Sequence, residues 1–212
     1  MIGVTNYLVA QCLGGIKMQN LGTKKLETDR LVLRRFTTED ANAMFKNYAN
    51  DNEVTKYLTW LAHSSVEASK EILNEWISQY DNGEIYIWAI VLKGNADEPI
   101  GSISVVRYNE EVEEMDIGYC IGRKWWHQGI TSEALSAVIK FLFDEVSVNR
   151  IVARHDIRNV HSGKVMTKCG MQYEGTLREA GVSNQGIGDM AIYSILAKDY
   201  AKMITAKTAP IL

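Results

Sequence analysis

The sequence has few cysteines, no long apolar run and no excess of positive charge, and each shortage excludes a class of protein. Its three cysteines, Cys12, Cys120 and Cys169, are too few and too widely spaced for a disulfide framework or a zinc knuckle. We therefore expect a reducing, cytoplasmic location. No stretch approaches the ~20 consecutive apolar residues of a membrane-spanning helix, so no membrane partner is expected. The formal net charge of −3 argues against a nucleic-acid binder that works through a broad basic face.

Several catalytic and nucleotide-binding signatures are also missing. There is no G-x-G-x-x-G fingerprint with regular βαβ alternation, which disfavours a dinucleotide-binding fold, and no G-x-x-x-x-G-K-[ST] P-loop. The G-x-S-x-G elbow of a serine hydrolase is absent as well. His155 and Asp156 are neighbours on a predicted strand and therefore point to opposite faces. We expect no metal site, because no further ligands stand at a useful spacing from this pair.

The composition is that of an ordinary globular protein. With 46% hydrophobic and 23% charged residues among 212, the chain can bury a sizeable core in one domain, which we place at residues 26–200. Residues 1–25 lack the basic start of a signal peptide. We expect them to be an extension that is disordered or artefactual, with an extra element that packs on a partner as the alternative. Residues 201–212 are expected to form a C-terminal tail.

Periodicity predicts a strand, two helices, three strands, a helix, a strand, a helix and two final strands. The predicted helices lie at Thr37–Asn50, Ser64–Tyr80, Ala134–Val146 and His161–Gly170, the second capped by Ser64 or Ser65. The predicted strands lie at Arg30–Phe36, Ile85–Lys93, Pro99–Tyr108, Glu114–Gly122, Arg150–Asp156, Met171–Glu179 and Asp189–Leu196. The fold class is therefore α+β, or mixed α/β, with one central, mostly antiparallel sheet of about seven strands and about four helices.

The stretch Gln128–Ser132 places Gly129 in a turn directly before a helix. A helix N-terminus offers unpaired N–H donors and about half a positive charge, so it binds anions without a cationic side chain. A glycine in the preceding turn lets the main chain approach a bulky phosphate. We expect the N–H groups from about His127 to Ser132 to cradle a pyrophosphate. The alternative is that Gly129 only shapes a strand-to-helix connection.

Three stretches together resemble one family. Arg150–Glu179 is similar to the N-x-x-S…K-x-G-[FM]-x-x-E-G segment of the Gcn5-related N-acetyltransferases, the GNAT superfamily. Leu26–Ala41 resembles the first strand and helix of its ribosomal-protein N-terminal acetyltransferase branch, the Rim-type branch, and Trp125–Leu135 resembles the pyrophosphate loop of that branch. The resemblance spans roughly Leu26 to Leu196.

The loop departs from the general pattern of the superfamily in one respect. That pattern is [RQ]-x-x-G-x-[GA], and here its three specified positions hold Trp126, Gly129 and Thr131, so that only the central glycine is kept. The proposed binding mode depends on main-chain amides rather than on side chains. It is therefore compatible with this departure.

The resemblance implies where the cosubstrate acetyl-CoA lies. It would occupy a V-shaped gap where the fourth and fifth strands, Glu114–Gly122 and Arg150–Asp156, splay apart. Its pantetheine arm would pair with the main chain of the fourth strand, and a bulge in that strand would aim an N–H group at the thioester carbonyl. The implied cofactor-binding residues are Cys120, Ile121, Gly122, His127, Gln128, Gly129, Ile130, Thr131, Ser132 and Asn159.

The resemblance also implies direct transfer in which Ser162 protonates the departing thiolate, the alternative being that Ser162 caps the following helix. A general base for the amine needs a carboxylate or an ordered water. Asp116 and Glu114 share one strand face and are catalytic candidates, unless that face is merely solvated. Glu179 is a third candidate near the expected mouth of the cleft, where it would attract a cationic substrate amine.

The sequence is compatible with two classes of acceptor and with one non-catalytic function. The branch resemblance favours a protein N-terminal amine. A small-molecule amine (a polyamine, an amino sugar or an amino-acid-like compound) is the rival, because Tyr57–Leu73 would build the acceptor wall and carries no recognisable motif. A non-catalytic CoA-binding regulatory module is the third hypothesis, which Asn159 and Ser162 disfavour. We also expect a homodimer and no direct contact with nucleic acid.

Overall fold

The computed structural model describes residues 18–83, 85–94 and 96–208. Within these ranges an eight-stranded sheet has the order β1-β2-β3-β4-β5-β6-β8-β7. The strands are β1 Leu26–Glu27, β2 Leu31–Arg34, β3 Ile87–Leu92, β4 Pro99–Asn109, β5 Glu114–Ile121, β6 Arg150–Asp156, β7 Gln172–Ser183 and β8 Gly186–Leu196. The α-helices are α1 Ala41–Met44, α2 Asn52–Thr55, α3 Val66–Gln79, α4 Ile130–Phe141, α5 Val160–Lys168 and α6 Ala197–Thr208. The predicted class is confirmed, with two more helices and one more short strand than expected.

The sheet splits in its middle. Every neighbouring pair of strands is antiparallel except β5 and β6, which run parallel and pair only through Glu114–Asp116 and Arg150–Val152. Beyond this seam β5 continues to Ile121 and β6 to Asp156 without pairing to each other. The two strands therefore diverge, which confirms the expected splay between the fourth and fifth predicted strands.

The expected bulge lies on the neighbouring strand. The register shifts between Val105 and Arg107, so the extra residue, Val106, belongs to β4 and not to the predicted fourth strand, which is β5. Its Cγ1 atom is 3.0 Å from the point where a Cβ atom on Gly118 would lie. Because Gly118 has no side chain, the side chain of Val106 can lie over it while β5 stays regular. The prediction of a bulge in β5 is wrong for this reason.

A hydrophobic core lies on each face of the sheet, because successive residues of its inner strands point to opposite sides. In β3, Trp88 belongs to one core and Ala89 to the other. Helix α4 adds Leu135 to the first core and α3 adds Leu73 to the second, and all four residues are fully buried. Ser65 caps α3 by accepting a hydrogen bond from the N–H of Ala68, as expected. Helices thus hold both faces of the strands that carry the site.

Both ends of the described chain pack on this domain. Residues 18–25 lie against the core, where the Tyr86 hydroxyl accepts a hydrogen bond from Leu21 and the Trp88 indole donates one to the carbonyl of Lys24. Helix α6 crosses the boundary drawn at residue 200, and its Tyr200 stacks on Phe143 with ring centroids 4.9 Å apart. Residues 1–17 and 209–212 lie outside the described residues. Within the described part, no helix is long and apolar enough to cross a bilayer.

Candidate active site

A cleft of about 290 Å³ opens where β5 and β6 diverge. Residues of β5, of the loop before α4, of α5 and of α2 with the turn after it meet there. They are Val54, Tyr57, Leu58, Tyr119, Cys120, Ile121, Trp125, Trp126, His127, Gly129, Ile130, Thr131, Ser132, Asn159, His161, Ser162, Lys164 and Val165. Most of the residues predicted to bind the cofactor therefore share one cavity with Ser162.

The turn before α4 presents main-chain donors to this cleft. Gly129 precedes the helix with a left-handed conformation (φ 75°), and His127 is also left-handed (φ 61°). The carbonyl of Gly129 accepts the first helical hydrogen bond from Glu133. Among the described residues, none accepts a hydrogen bond from the N–H groups of residues 127–132. These donors are therefore available to an anion, which is the geometry that an anion-binding helix N-terminus requires.

An ion pair braces the turn from behind. Arg30 donates from Nη1 to the carbonyl of Gln128 at 3.1 Å and from Nε to Glu133 Oε2 at 2.7 Å. Thr28 donates to Glu133 Oε1 at 2.5 Å. Burial disfavours the charged form of Glu133, but the hydrogen bonds from Thr28 and Arg30 outweigh it and lower the pKa of the carboxyl group. Gln128 thus serves the turn through its carbonyl and is outside the residues that line the cleft.

The surroundings of Gly129 suit a diphosphate. If this residue carried a Cβ atom, that atom would lie 3.4 Å from Lys168 Nζ and 3.7 Å from Arg30 Nη2. Lys164 lines the same cleft. Free main-chain donors with cationic side chains beside them fit the pyrophosphate of coenzyme A, because both stabilise negative charge.

Tyr119 and Ser162 form a hydrogen-bonded pair inside the cleft. The Tyr119 hydroxyl lies 3.0 Å from Ser162 Oγ and 3.0 Å from the carbonyl oxygen of Ser162. Burial raises the pKa of Tyr119 well above its ordinary value, so the phenol keeps its proton at neutral pH. Asn159 is the residue that precedes α5, and Ser162 lies within the helix. Asn159 therefore occupies the N-cap position of α5, and the Ser162 hydroxyl is hydrogen-bonded to Tyr119 instead of capping the helix.

The comparisons with known proteins agree with this arrangement. Residues 30–172 match the family model of the acetyltransferase (GNAT) domain, which is more than half of the chain. The chain belongs to the GNAT acetyltransferases.

Relatives and solved structures give the same assignment for this GNAT enzyme. It is 33% identical to an uncharacterized N-acetyltransferase, YoaA of Bacillus subtilis, over 81% of the chain and 96% of that protein. It is 27% identical to the [ribosomal protein uS5]-alanine N-acetyltransferase of Escherichia coli, over 76% of the chain and 84% of that protein. A GNAT acetyltransferase structure from Bacillus anthracis superimposes with a TM-score of 0.73 at 26% identity, covering 82% of this chain and 99% of that one. The resemblance to the superfamily and to its ribosomal-protein branch is confirmed.

The three carboxylates considered as bases in this GNAT enzyme lie outside the residues that line the cleft. Glu114 accepts a hydrogen bond from Arg150 Nε at 2.7 Å, within the seam of the sheet. Asp116 is buried, lies 3.0 Å from Arg154 Nε, and has a pKa raised by burial despite that arginine. Glu179 lies on the edge strand β7. Period-two alternation identified their strand positions, but it could not show that β5 diverges from β6 only after Asp116.

Cys120 and Ile121 line the cleft, whereas Gly122 is outside the lining residues. The N–H of Gly122 donates to the carbonyl of Ile100 at 2.9 Å, and a Cβ atom there would lie 2.1 Å from the carbonyl oxygen of Asn47. Gly122 therefore extends the pairing of β5 with β4 and lies against the main chain of Asn47, where a side chain would not fit. Burial raises the pKa of the Cys120 thiol, so it is a poor nucleophile, which favours direct transfer over an acetyl-cysteine intermediate.

Sequence reasoning missed Tyr119 and Lys164 as cleft residues, whereas Tyr57 lies in the stretch Tyr57–Leu73 that was expected to build the acceptor wall. One signal for Tyr119 was present, because the buried residues Ile117 and Ile121 alternate with it and place all three on one face of β5. No group of three or more His, Cys, Asp or Glu residues within the described ranges could hold a metal ion.

Proposed function

We propose that this GNAT enzyme transfers an acetyl group from acetyl-CoA directly to the α-amino group of a polypeptide N-terminus. One observation carries the proposal: the divergence of β5 and β6 brings the free N–H groups of residues 127–132 and the Tyr119–Ser162 pair into a single cleft. An anion site and a proton donor within one cavity are what thioester transfer requires.

In this proposal the diphosphate of acetyl-CoA binds to the N–H groups of His127 to Ser132, with Lys168 and Arg30 beside them. The pantetheine arm follows the part of β5 that does not pair with β6, at Cys120 and Ile121, and Asn159 contacts it from the position before α5. Acetyl-CoA supplies the activated thioester. The protein then contributes position and a proton, which together account for much of the rate in such reactions.

The transfer step follows from the placement of Ser162. The neutral amine attacks the thioester carbon, a C–N bond forms, and the C–S bond breaks. Ser162 donates its hydroxyl proton to the departing thiolate, the amine loses its extra proton to water, and Ser162 regains a proton from water. The products are an amide and the free thiol of coenzyme A. Burial keeps Tyr119 protonated, so in this proposal the neutral phenol positions the Ser162 hydroxyl by hydrogen bonding.

The placement of the carboxylates supports an α-amine as the acceptor. Glu114 and Asp116, held by arginines, are not positioned to deprotonate a strongly basic amine in the cleft. At pH 7.5 roughly a third of α-amino groups are neutral, against roughly one lysine or polyamine group in a thousand. An α-amine therefore needs little help from a base. The similarity to a ribosomal-protein alanine acetyltransferase supports the same choice.

The test is release of free thiol from acetyl-CoA with a panel of amines. Peptides with a free N-terminus should be acetylated, whereas N-terminally blocked peptides that contain lysine, and spermidine, should react at least about a hundredfold more slowly at pH 7.5. Faster reaction with spermidine or an amino sugar would instead identify a small-molecule acetyltransferase. Binding of acetyl-CoA without thiol release across the panel would identify a regulatory module.

A further inference from the structure

The tip of the β7–β8 hairpin is hydrogen-bonded to the turn that follows α2. Asn184, between the two strands, donates from its main-chain N–H to the carbonyl of Leu58 at 3.1 Å. Its side-chain amide donates to the carbonyls of Thr55 at 2.9 Å and Trp60 at 2.8 Å. One residue therefore fixes three carbonyl groups across a stretch of six residues, Thr55–Trp60.

The stretch held by Asn184 forms one wall of the cleft. Tyr57 and Leu58 lie within it and Val54 lies directly before it, and all three line the cavity that contains Ser162. The main chain of this turn has a local hydrogen bond from Leu58 to Thr55 at 2.8 Å. Asn184 adds a tertiary contact, because Thr55 and Asn184 are 129 positions apart in the sequence.

An asparagine is chemically suited to this task. Its side-chain amide carries two N–H donors, and here they go to two different carbonyl groups. An aspartate of the same shape has no donor and would place a negative charge against both carbonyl oxygens. The neighbouring Gln185 differs, because its side-chain amide donates to the carbonyl of Asn184 within the same turn.

We propose that Asn184 is a positioning residue for the acceptor: it holds Val54, Tyr57 and Leu58 as an apolar wall that recognises an uncharged, apolar first side chain of the substrate. The proposal rests on the proposed function. A charged side chain against this wall would lose water without gaining a partner, so it would bind poorly. The main-chain amides that hold the diphosphate belong to a different element, the turn before α4, and do not depend on Asn184.

The experiment compares Asn184→Ala and Asn184→Asp with the matched control Gln185→Ala. The substrates are two peptides that begin with leucine or with aspartate, with acetyl-CoA as donor. In both Asn184 variants we expect the KM for the leucine peptide to rise about tenfold, as for the loss of two hydrogen bonds, with the KM for acetyl-CoA unchanged. The preference for leucine over aspartate should fall, and Gln185→Ala should behave as the wild type.

Limited trypsin digestion gives a readout that needs no acceptor. Lys56 lies inside the held stretch, so cleavage after it should be faster in both Asn184 variants than in Gln185→Ala. Equal peptide KM values in the three variants, or a parallel rise in the KM for acetyl-CoA, would overturn the positioning role. If the wild type acetylates no peptide, the proposed function fails and the acceptor role of Asn184 fails with it. Cleavage after Lys56 then reports only whether Asn184 holds the turn.

Discussion

At the scale of single residues, our proposal assigns the chemistry of the cleft to Ser162 and to the Tyr119 hydroxyl beside it. A serine alone is a weak acid, but here its Oγ atom lies 3.0 Å from a phenol that burial keeps protonated. The same phenol donates a hydrogen bond to the carbonyl of Ser162. It therefore connects the first turn of α5 to the part of β5 that does not pair with β6. The phenol therefore fixes the position of the serine hydroxyl.

We expect Ser162→Ala to lower kcat by about a hundredfold, the usual contribution of a positioned acid, with acetyl-CoA affinity roughly unchanged. Tyr119→Phe should lower kcat less, and adding it to Ser162→Ala should cost little more, because the two groups act as a unit. Thiol release gives kcat and isothermal titration gives the affinity. Unchanged turnover in Ser162→Ala would remove the serine from the mechanism.

At the scale of elements, the turn before α4 combines a strained backbone with an external brace. Gly129 has a φ of 75°, a conformation that costs residues with a side chain about 1–2 kcal/mol. Arg30 holds the turn by bonding to the carbonyl of Gln128 and to Glu133 at the same time. The main-chain donors are thus oriented before any anion arrives, which reduces the entropy lost on binding.

A substitution at Gly129 should separate this role from simple backbone strain. We expect Gly129→Ala to weaken acetyl-CoA binding about tenfold, because the left-handed conformation is lost and the new methyl group lies beside Lys168. Gly94→Ala is the matched control, since Gly94 has a φ of 80° and nothing within 4 Å of its missing Cβ atom. Both variants should lose thermal stability to a similar extent. Equal acetyl-CoA affinity in the two variants would contradict the role of the turn.

At the scale of the whole molecule, one arginine connects strands on both sides of the seam. Arg150 of β6 bonds to Glu114 of β5 and to Glu174 of β7, and Ser194 of β8 donates to the same Glu174 at 2.6 Å. These hydrogen bonds from Arg150 and Ser194 lower the pKa of Glu174 to about 2. Because the folded state favours the charged carboxylate, this group stabilises the fold above its ordinary pKa and loses that effect as the pH falls.

The resulting pH dependence has a defined window. Glu174 should contribute fully to the free energy of unfolding at pH values above 4.5, its ordinary pKa. This contribution should shrink as the pH approaches about 2. The difference in melting temperature between the wild type and Glu174→Gln should therefore be largest near neutral pH and shrink below pH 4.5. A difference that stays constant down to pH 2 would contradict this assignment.

Much of this fold follows from local sequence patterns. The strand predicted at Arg150–Asp156 has the same bounds in the structure, and the hairpins between β3, β4 and β5 are antiparallel as expected. Alternation and capping are local, so a single sequence reveals them. The bulge at Val106 and the packing of residues 18–25 depend on contacts with Gly118 and Tyr86, which no local pattern encodes.

The site divides in the same way. The turn at Gly129 and the segment around Ser162 are contiguous motifs, and both reach the cleft. Tyr119 and Ser162 are 43 positions apart in the sequence, and Asn184 and Thr55 are 129 positions apart. Neither contact could be predicted without the topology. The roles of the individual site residues and the expected homodimer stay predictions.

The short seam between β5 and β6 has a mechanical consequence. Among the described residues, three residue pairs join the two half-sheets by main-chain pairing, so we expect this part of the sheet to open more readily than a fully paired sheet would. A pantetheine chain bound in the gap would connect the two half-sheets for as long as it stays bound. Acetyl-CoA would then stabilise the sheet as well as react. After the release of coenzyme A, the two half-sheets would be less firmly connected, which would help the next acetyl-CoA to enter.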